Sequence, residues 1–238
     1  GGDAGRLTFI RFMPGVPTTI FVGTGAGGLW KSTDNGVNWS TTTNTLTVLG
    51  CSDLAINPLN TNIMYLATGD IDATDNASVG IYKSTDGGLT WATTGLLWTA
   101  SQGRTIGRLL INSKNPNVLL AATSAGIFRT NNAGTTWTVV KAGSYKDLEY
   151  KTTSGGDTTN VFAVTGSTFV RSINGGTTFT TLATGLPTTG VNRMALSVTP
   201  ADPNYIYILC SNSTDNSFGG VYRSVDGGAT FTLRSSTP

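Results

Sequence analysis

The sequence has no histidine, two cysteines and a single glutamate, Glu149, in 238 residues. Without histidine there is no imidazole to activate a nucleophile, to shuttle protons near neutral pH or to ligate a transition metal. Cys51 and Cys210 are far apart and fit no metal spacing, so they read either as a disulfide or as two small buried hydrophobes. Charged residues make up 12% of the chain, with a net charge of +2. That lacks the basic bias of a nucleic-acid binder. No apolar run reaches the roughly 18 residues of a membrane span, so no membrane insertion is expected. Helical periodicity is absent throughout. The chain begins Gly-Gly-Asp, with neither Met nor a signal peptide, and on that ground reads as a processed or excised piece.

What is present in quantity is glycine, 31 residues, together with Thr, Ser and Asn. These build one pattern five times: Ser/Thr, then Asp/Asn two residues on, Gly at plus four and an aromatic at plus seven. The copies are Ser32-Asp34-Gly36-Trp39, Ser84-Asp86-Gly88-Trp91, Thr130-Asn132-Gly134-Trp137, Ser172-Asn174-Gly176-Phe179 and Ser224-Asp226-Gly228-Phe231. Their starts fall 42 to 52 residues apart, the period of a supersecondary unit. Hydroxyl and carboxylate or amide, two residues apart, can satisfy the backbone of a tight turn. Glycine accepts a positive φ there, and the aromatic offers a large face for burial as the next strand begins. Turn chemistry therefore accounts for Asp34, Asp86 and Asp226 without catalysis.

Each box follows a strand such as Gly28–Ser32 or Gly80–Ser84, with two further apolar strands upstream and one downstream. Four antiparallel strands per roughly 45 residues, with no helix, predict an all-β fold of β-propeller blades. The expected blades are 1–46, 47–97, 98–143, 144–187 and 188–238. Neither terminus supplies a strand to complete the other's blade, so the expectation is an arc of a larger propeller, completed by further blades of a parent chain.

The boxes resemble the Asp-box, or BNR, repeat shared by sialidases, xyloglucan-active glycoside hydrolases, sortilin-type propellers and a photosystem assembly factor. "AGGLWKSTDNG", "SQGRTIGRLL" and "VNRMALSVTPADPNYIY" most resemble the amino-terminal propeller of large secreted surface proteins of Bacteroidota-type bacteria. That resemblance implies a secreted or cell-surface location, export by the type IX system and a carboxy-terminal sorting domain, which this sequence lacks. Fold transfers with such a likeness and chemistry does not. The sialidase Phe-Arg-Ile-Pro motif is missing. The xyloglucan-active enzymes carry an acid two positions ahead of the Gly-Gly pair in "FVGTGAGGLWKS", where this chain has Gly25.

One carboxylate pair stands on a single strand, Asp147 and Glu149. Sharing a side of one strand, the two are poorly placed to flank a glycosidic bond from opposite directions. Charges precede the first apolar residue of every repeat: Arg6, Asp53, Arg108, Asp147 and Arg193. They predict either a girdle of ion pairs between blades or a polar ligand rim. Two loops opposite the boxes are expanded, "TGDIDATDNASVG" and "SNSTDNSFGG", and loops on rigid scaffolds carry function. Asp70, Asp72, Asp75 and Asn76 supply oxygens that suit Ca²⁺, the alternative being a solvated polar loop. No other cofactor is expected. Trp98, with Gln102 and Arg104, would suit stacking against a sugar, or Trp98 packs under its own loop. The expectation is a binding or adhesion module for glycan or protein, the alternatives being a glycoside hydrolase completed by other blades and a spacer in a surface fibre.

Overall fold

The computed structural model describes residues 5–72, 76–151, 156, 158–182 and 184–237. Among these there is no α-helix, and the strands form five four-stranded antiparallel sheets. The first sheet holds Leu7–Met13, Val16–Thr24, Leu29–Ser32 and Ser40–Thr41, and the second Cys51–Ile56, Met64–Thr68, Gly80–Ser84 and Ala92–Leu97. The third holds Ile106–Ile111, Leu119–Thr123, Gly126–Thr130 and Thr138–Lys141. The fourth is built from Asp147–Tyr150, Val161–Val164, Phe169–Ser172 and Thr180–Leu182, and the fifth from Val191–Val198, Ile206–Asn212, Phe218–Ser224 and Thr232–Ser235. In each sheet, neighbours in sequence are neighbours in space.

The chain divides into two compact units, Gly1–Leu119 with Thr130–Thr138, and Leu120–Arg129 with Val139–Pro238. In the first, Phe9, Phe21, Leu54, Met64, Leu66 and Tyr82 join the facing sides of two sheets in one buried cluster. In the second, the ring of Phe169 stacks on Phe162 at 5.9 Å and meets the edge of Phe231 at 5.0 Å, above Met194, Ile206 and Ile208. In the second sheet both faces of Met64–Thr68 are buried, and burial of this kind is the main stabilising term. Cys51 and Cys210 are free and buried, which settles the choice between disulfide and small hydrophobe in favour of the latter. Burial pushes their thiols up to about 12 and about 11, so neither forms a reactive thiolate at neutral pH.

The five boxes close their turns in the same way. In the second, the Ser84 hydroxyl donates to Asp86 at 2.8 Å and accepts the Gly88 N–H at 2.9 Å. The Asp86 carboxylate accepts the N–H groups of Leu89 and Thr90 and the Thr90 hydroxyl. Where Asn replaces Asp, the last bond reverses: the Asn132 amide donates to the Thr136 hydroxyl at 2.9 Å. Phe179 and Phe231 are buried, as the pattern predicts. Trp39 is not. It stays 40% exposed, and its indole N–H caps the Gly36 carbonyl at 3.0 Å instead.

The fourth box residue carries most of the joinery. It is left-handed in every copy, with φ from 55° to 74° at Asn35, Gly87, Ala133, Gly175 and Gly227. In the last four copies its N–H donates into its own sheet's first turn, as Gly87 does to Asn62 at 3.0 Å. Its carbonyl accepts from the basic residue that precedes the previous box. Lys31 reaches Gly87 at 3.1 Å, Lys83 reaches Ala133 at 3.4 Å, Arg129 reaches Gly175 at 3.2 Å and Arg171 reaches Gly227 at 3.0 Å. This Lys/Arg-Ser/Thr dipeptide, visible in all five repeats, is the signal in sequence for a clamp between successive sheets.

The boxes make stability acid-sensitive. Asp34 is lowered to about 2 from 3.8, chiefly by the Asn38 N–H, and Asp86 to about 2, chiefly by the Thr90 hydroxyl. Burial is the largest influence on Asp226 and pushes it up, but the hydroxyl and N–H of Thr230 outweigh it and hold it at about 2. A carboxylate depressed on folding stabilises the fold above its unfolded value and loses that contribution as pH falls through the folded one. Thermal melts should therefore show stability falling between about pH 3.8 and pH 2. Replacing Asp34, Asp86 and Asp226 together by Asn, the residue that positions 132 and 174 already carry, should flatten that slope while leaving the melt at pH 7 nearly unchanged. An unaltered slope would place the acid sensitivity elsewhere.

Candidate functional site: a polar cleft over Gly25

The expanded loop of the second repeat, 69–79, is fastened at its base by its own backbone. Gly69 N–H donates to Gly50 at 2.7 Å, Asp70 N–H to Asn76 at 2.8 Å and Ser78 N–H to Arg104 at 2.7 Å. The Asn76 amide donates to the Gly25 carbonyl. These bonds bring the loop against the end of the first sheet's second strand, on the side opposite the boxes.

Asp70 is thereby driven inward until it is 2% exposed. Its carboxylate meets the Arg6 guanidinium and accepts the Asp72 N–H at 2.9 Å. The second arm of Arg6 reaches Asp72 at 3.3 Å. A Cβ on residue 25 would lie 2.6 Å from the Asp70 carboxylate and 3.4 Å from Arg6, so glycine at this position is what admits the pair. Together with Gly5, Thr24, Ala26, Gly27 and Asn76 they line a cleft of about 570 Å³. A guanidinium fork, carboxylate edges, an amide and backbone carbonyls within one open cleft suit a ligand made of hydroxyl groups.

The other residues singled out by sequence fall into three groups. Asp53, 1% exposed, is a strap. Its carboxylate pairs with Arg11 and accepts the N–H groups of Leu54 at 2.9 Å and Leu109 at 2.8 Å, with the Arg108 Nε at 3.9 Å. Asp147 does the same in the second unit, accepting from Leu148 at 2.9 Å and from Leu196 of the next sheet at 3.0 Å. Glu149 shares its side of the strand, in register with Phe162 and Arg171. The girdle of charges is thus realised at Asp53, but with Arg11 as its near partner. Arg6 turns to the loop, because Asp70 offers a dry carboxylate closer to hand.

Trp98, Gln102 and Arg104 lie on the connection that the loop touches. Trp98 N–H donates to Val79 at 3.1 Å, Gln102 caps the short 3₁₀ turn by accepting from Thr99 at 2.9 Å, and Arg104 offers its carbonyl to Ser78. They stand beside the cleft and do not line it. Arg193 lines a separate cleft of about 310 Å³ in the second unit, with Asn216, Ser217 and Phe218 of the other expanded loop. Of the proposed cation ligands, Asp75 lies outside the described residues, and Asp70 and Asp72 both face Arg6. Among the described residues no three carboxylate, thiol or imidazole side chains gather as a metal site. The pairing of Arg6 with Asp70 escapes sequence reasoning; the small residue at position 25 is its one trace.

No family model matches the chain. A xyloglucanase from Paenibacillus sp. is 28% identical over 152 residues, which is 59% of this chain and 15% of that protein. Among solved structures, an ancestral GH74 enzyme superposes with a TM-score of 0.79 at 17% identity, over 98% of this chain and 31% of the other. The GH74 enzyme of Niastella koreensis does so with a TM-score of 0.68 at 23% identity, over 98% of this chain and 37% of the other. This chain therefore spans well under half the length of each. The likeness shows the fold, a β-propeller of four-stranded blades.

Proposed function

We propose that this chain recognises a xyloglucan-type polysaccharide outside the cell, binding it in the cleft over Gly25 without cleaving it. The observation that carries the reading is the Arg6–Asp70–Asp72 cluster. Glycoside hydrolysis needs two carboxyl groups on either side of the bond, one donating a proton and the other attacking or activating water. Here Asp70, which lines the cleft, and Asp72 beside it both engage one guanidinium, which leaves the half-exposed Arg6 fork and the backbone of the cleft to meet sugar hydroxyls. The resemblance to exported surface proteins supports an extracellular setting, and the likeness to a xyloglucanase supports the ligand class. No helix among the described residues is long and apolar enough to cross a membrane.

The same likeness favours a second reading, hydrolysis by a site that further blades complete. Electrophoresis through gels containing xyloglucan, run beside an assay for new reducing ends, separates the two. The binder is retarded and releases none, and Arg6→Ala lowers its affinity at least tenfold, on the order of 1.4 kcal/mol. Reducing ends that disappear on Asp70→Asn would establish the hydrolase instead. Mobility unaffected by any soluble glucan would remove the glycan reading altogether.

A further inference from the structure

The second strands of the first three repeats each end on a threonine. In the third repeat that residue closes a plain hairpin. The Thr123 hydroxyl donates to the Gly126 carbonyl at 2.8 Å and accepts the Ala125 N–H at 3.0 Å. Thr68 makes the same two bonds in the second repeat, to the Gly80 carbonyl at 2.7 Å and from the Val79 N–H at 3.0 Å. The necks match, yet the segment between the threonine and its N–H donor is Ser124 alone in one and residues 69–78 in the other. Ser78 adds a second buried hydroxyl, which accepts the Gly80 N–H at 3.0 Å. Residues 69–78 are therefore an insert on a neck that the short third-repeat turn already closes, and chain length added beyond a closed neck costs little.

The insert brings Asp70, Asp72 and the Asn76 amide up to Arg6 and the backbone at Gly25, which the scaffold supplies. Its effect on the local charge is a change of sign. The scaffold alone offers one guanidinium, its side chain 45% exposed, beside a turn of small residues. A planar fork of that kind takes a carboxylate through two bonds. With the insert in place, one positive side chain faces two negative ones, Asp70 and Asp72, a sum of −1. An acidic sugar then meets carboxylates beside a guanidinium whose charge is already compensated, and like charges in contact oppose binding. A neutral sugar brings hydroxyls that accept from the fork and meets no such opposition.

We propose that residues 69–78 are the specificity element of the cleft, admitting uncharged glycan and excluding acidic glycan. This selection presupposes the glycan binding proposed above; what is new is the segment and the two charges that perform it.

Electrophoresis through gels of xyloglucan and of polygalacturonate reads both sides of the choice. The native chain should be retarded by the first and pass the second freely. Replacing residues 69–78 by a single serine, which restores the length of the Thr123–Gly126 turn, should abolish retardation by xyloglucan. The same shortened chain should gain affinity for polygalacturonate, about tenfold and lost at high salt. Adding Arg6→Ala to it should remove that gain, which separates the fork from the rise in net charge. Asp72→Asn keeps the insert, alters a side chain 42% exposed and should raise affinity for polygalacturonate about threefold. It decides the matter if the shortened chain fails to melt cooperatively, and no gain in it overturns the proposal. Native binding to both polymers does so too, as does a folded, shortened chain that still holds xyloglucan or whose gain survives Arg6→Ala. A native chain blind to xyloglucan removes the glycan reading itself, and the selection with it.

Discussion

Asp53→Ala is expected to lower the stability of the chain by about 3–5 kcal/mol in urea unfolding, the range for breaking a buried charged network. Most of that comes from what the carboxylate leaves behind. The N–H groups of Leu54 and Leu109 are buried in consecutive sheets and lose their acceptor, at about 1–3 kcal/mol each. Arg11, 30% exposed, turns to water and adds less. A side-chain amide at this position keeps one acceptor oxygen, so Asp53→Asn should cost clearly less than Asp53→Ala. Equal effects of the two would mean that charge, and not the doubly bonded acceptor, holds the sheets together. The same reasoning assigns Asp147 to structure: Asp147→Asn should change melting and leave any glycan binding intact.

Asp70→Ala is the second large effect, and it acts on function and fold together. It removes the partner of Arg6, the acceptor of the Asp72 N–H and the side chain that fills the space above Gly25. Xyloglucan binding measured by calorimetry should fall at least tenfold. Unfolding should be easier by about 1–3 kcal/mol, since the removed acceptor is buried. Gly25→Ala probes the same contact from the other side. Its methyl would press on the Asp70 carboxylate at 2.6 Å and should displace the loop, weakening binding with Asp70 itself unchanged. Full affinity in Gly25→Ala would show that the ligand does not depend on the Arg6–Asp70 pair.

The fold was legible because its signals are local and repeated. A hydroxyl, an Asp or Asn and a glycine at fixed offsets specify one turn whatever surrounds them, and five copies announce five sheets. The acids of the boxes were read as turn builders for the same reason, and each accepts N–H groups of its own turn. The site was legible only in outline. Expansion of 69–79 pointed to the loop that closes over Gly25, and the charge before the first strand pointed to Arg6. What sequence reasoning could not see was the pairing of Arg6 with Asp70, because it depends on how the loop folds back over a glycine from another repeat. Asp53 and Asp147 show the converse. Asp53 read as part of a ligand rim or a girdle and Asp147 also as half of a carboxylate pair, yet each spends an oxygen on the backbone of the next sheet, across 56 and 49 residues of sequence. The clamp by Lys31, Lys83, Arg129 and Arg171 was readable in principle, since the basic residue recurs beside every box.

Hydrogen exchange with and without a xyloglucan oligosaccharide tests the central claim most directly. Bound ligand should slow exchange of the amides at 24–28 and at both ends of the 69–79 loop, and Arg6→Ala should abolish that protection. Protection confined to 211–218 around the Arg193 cleft, or none in either segment under conditions where the sugar binds, would contradict the assignment of the cleft over Gly25.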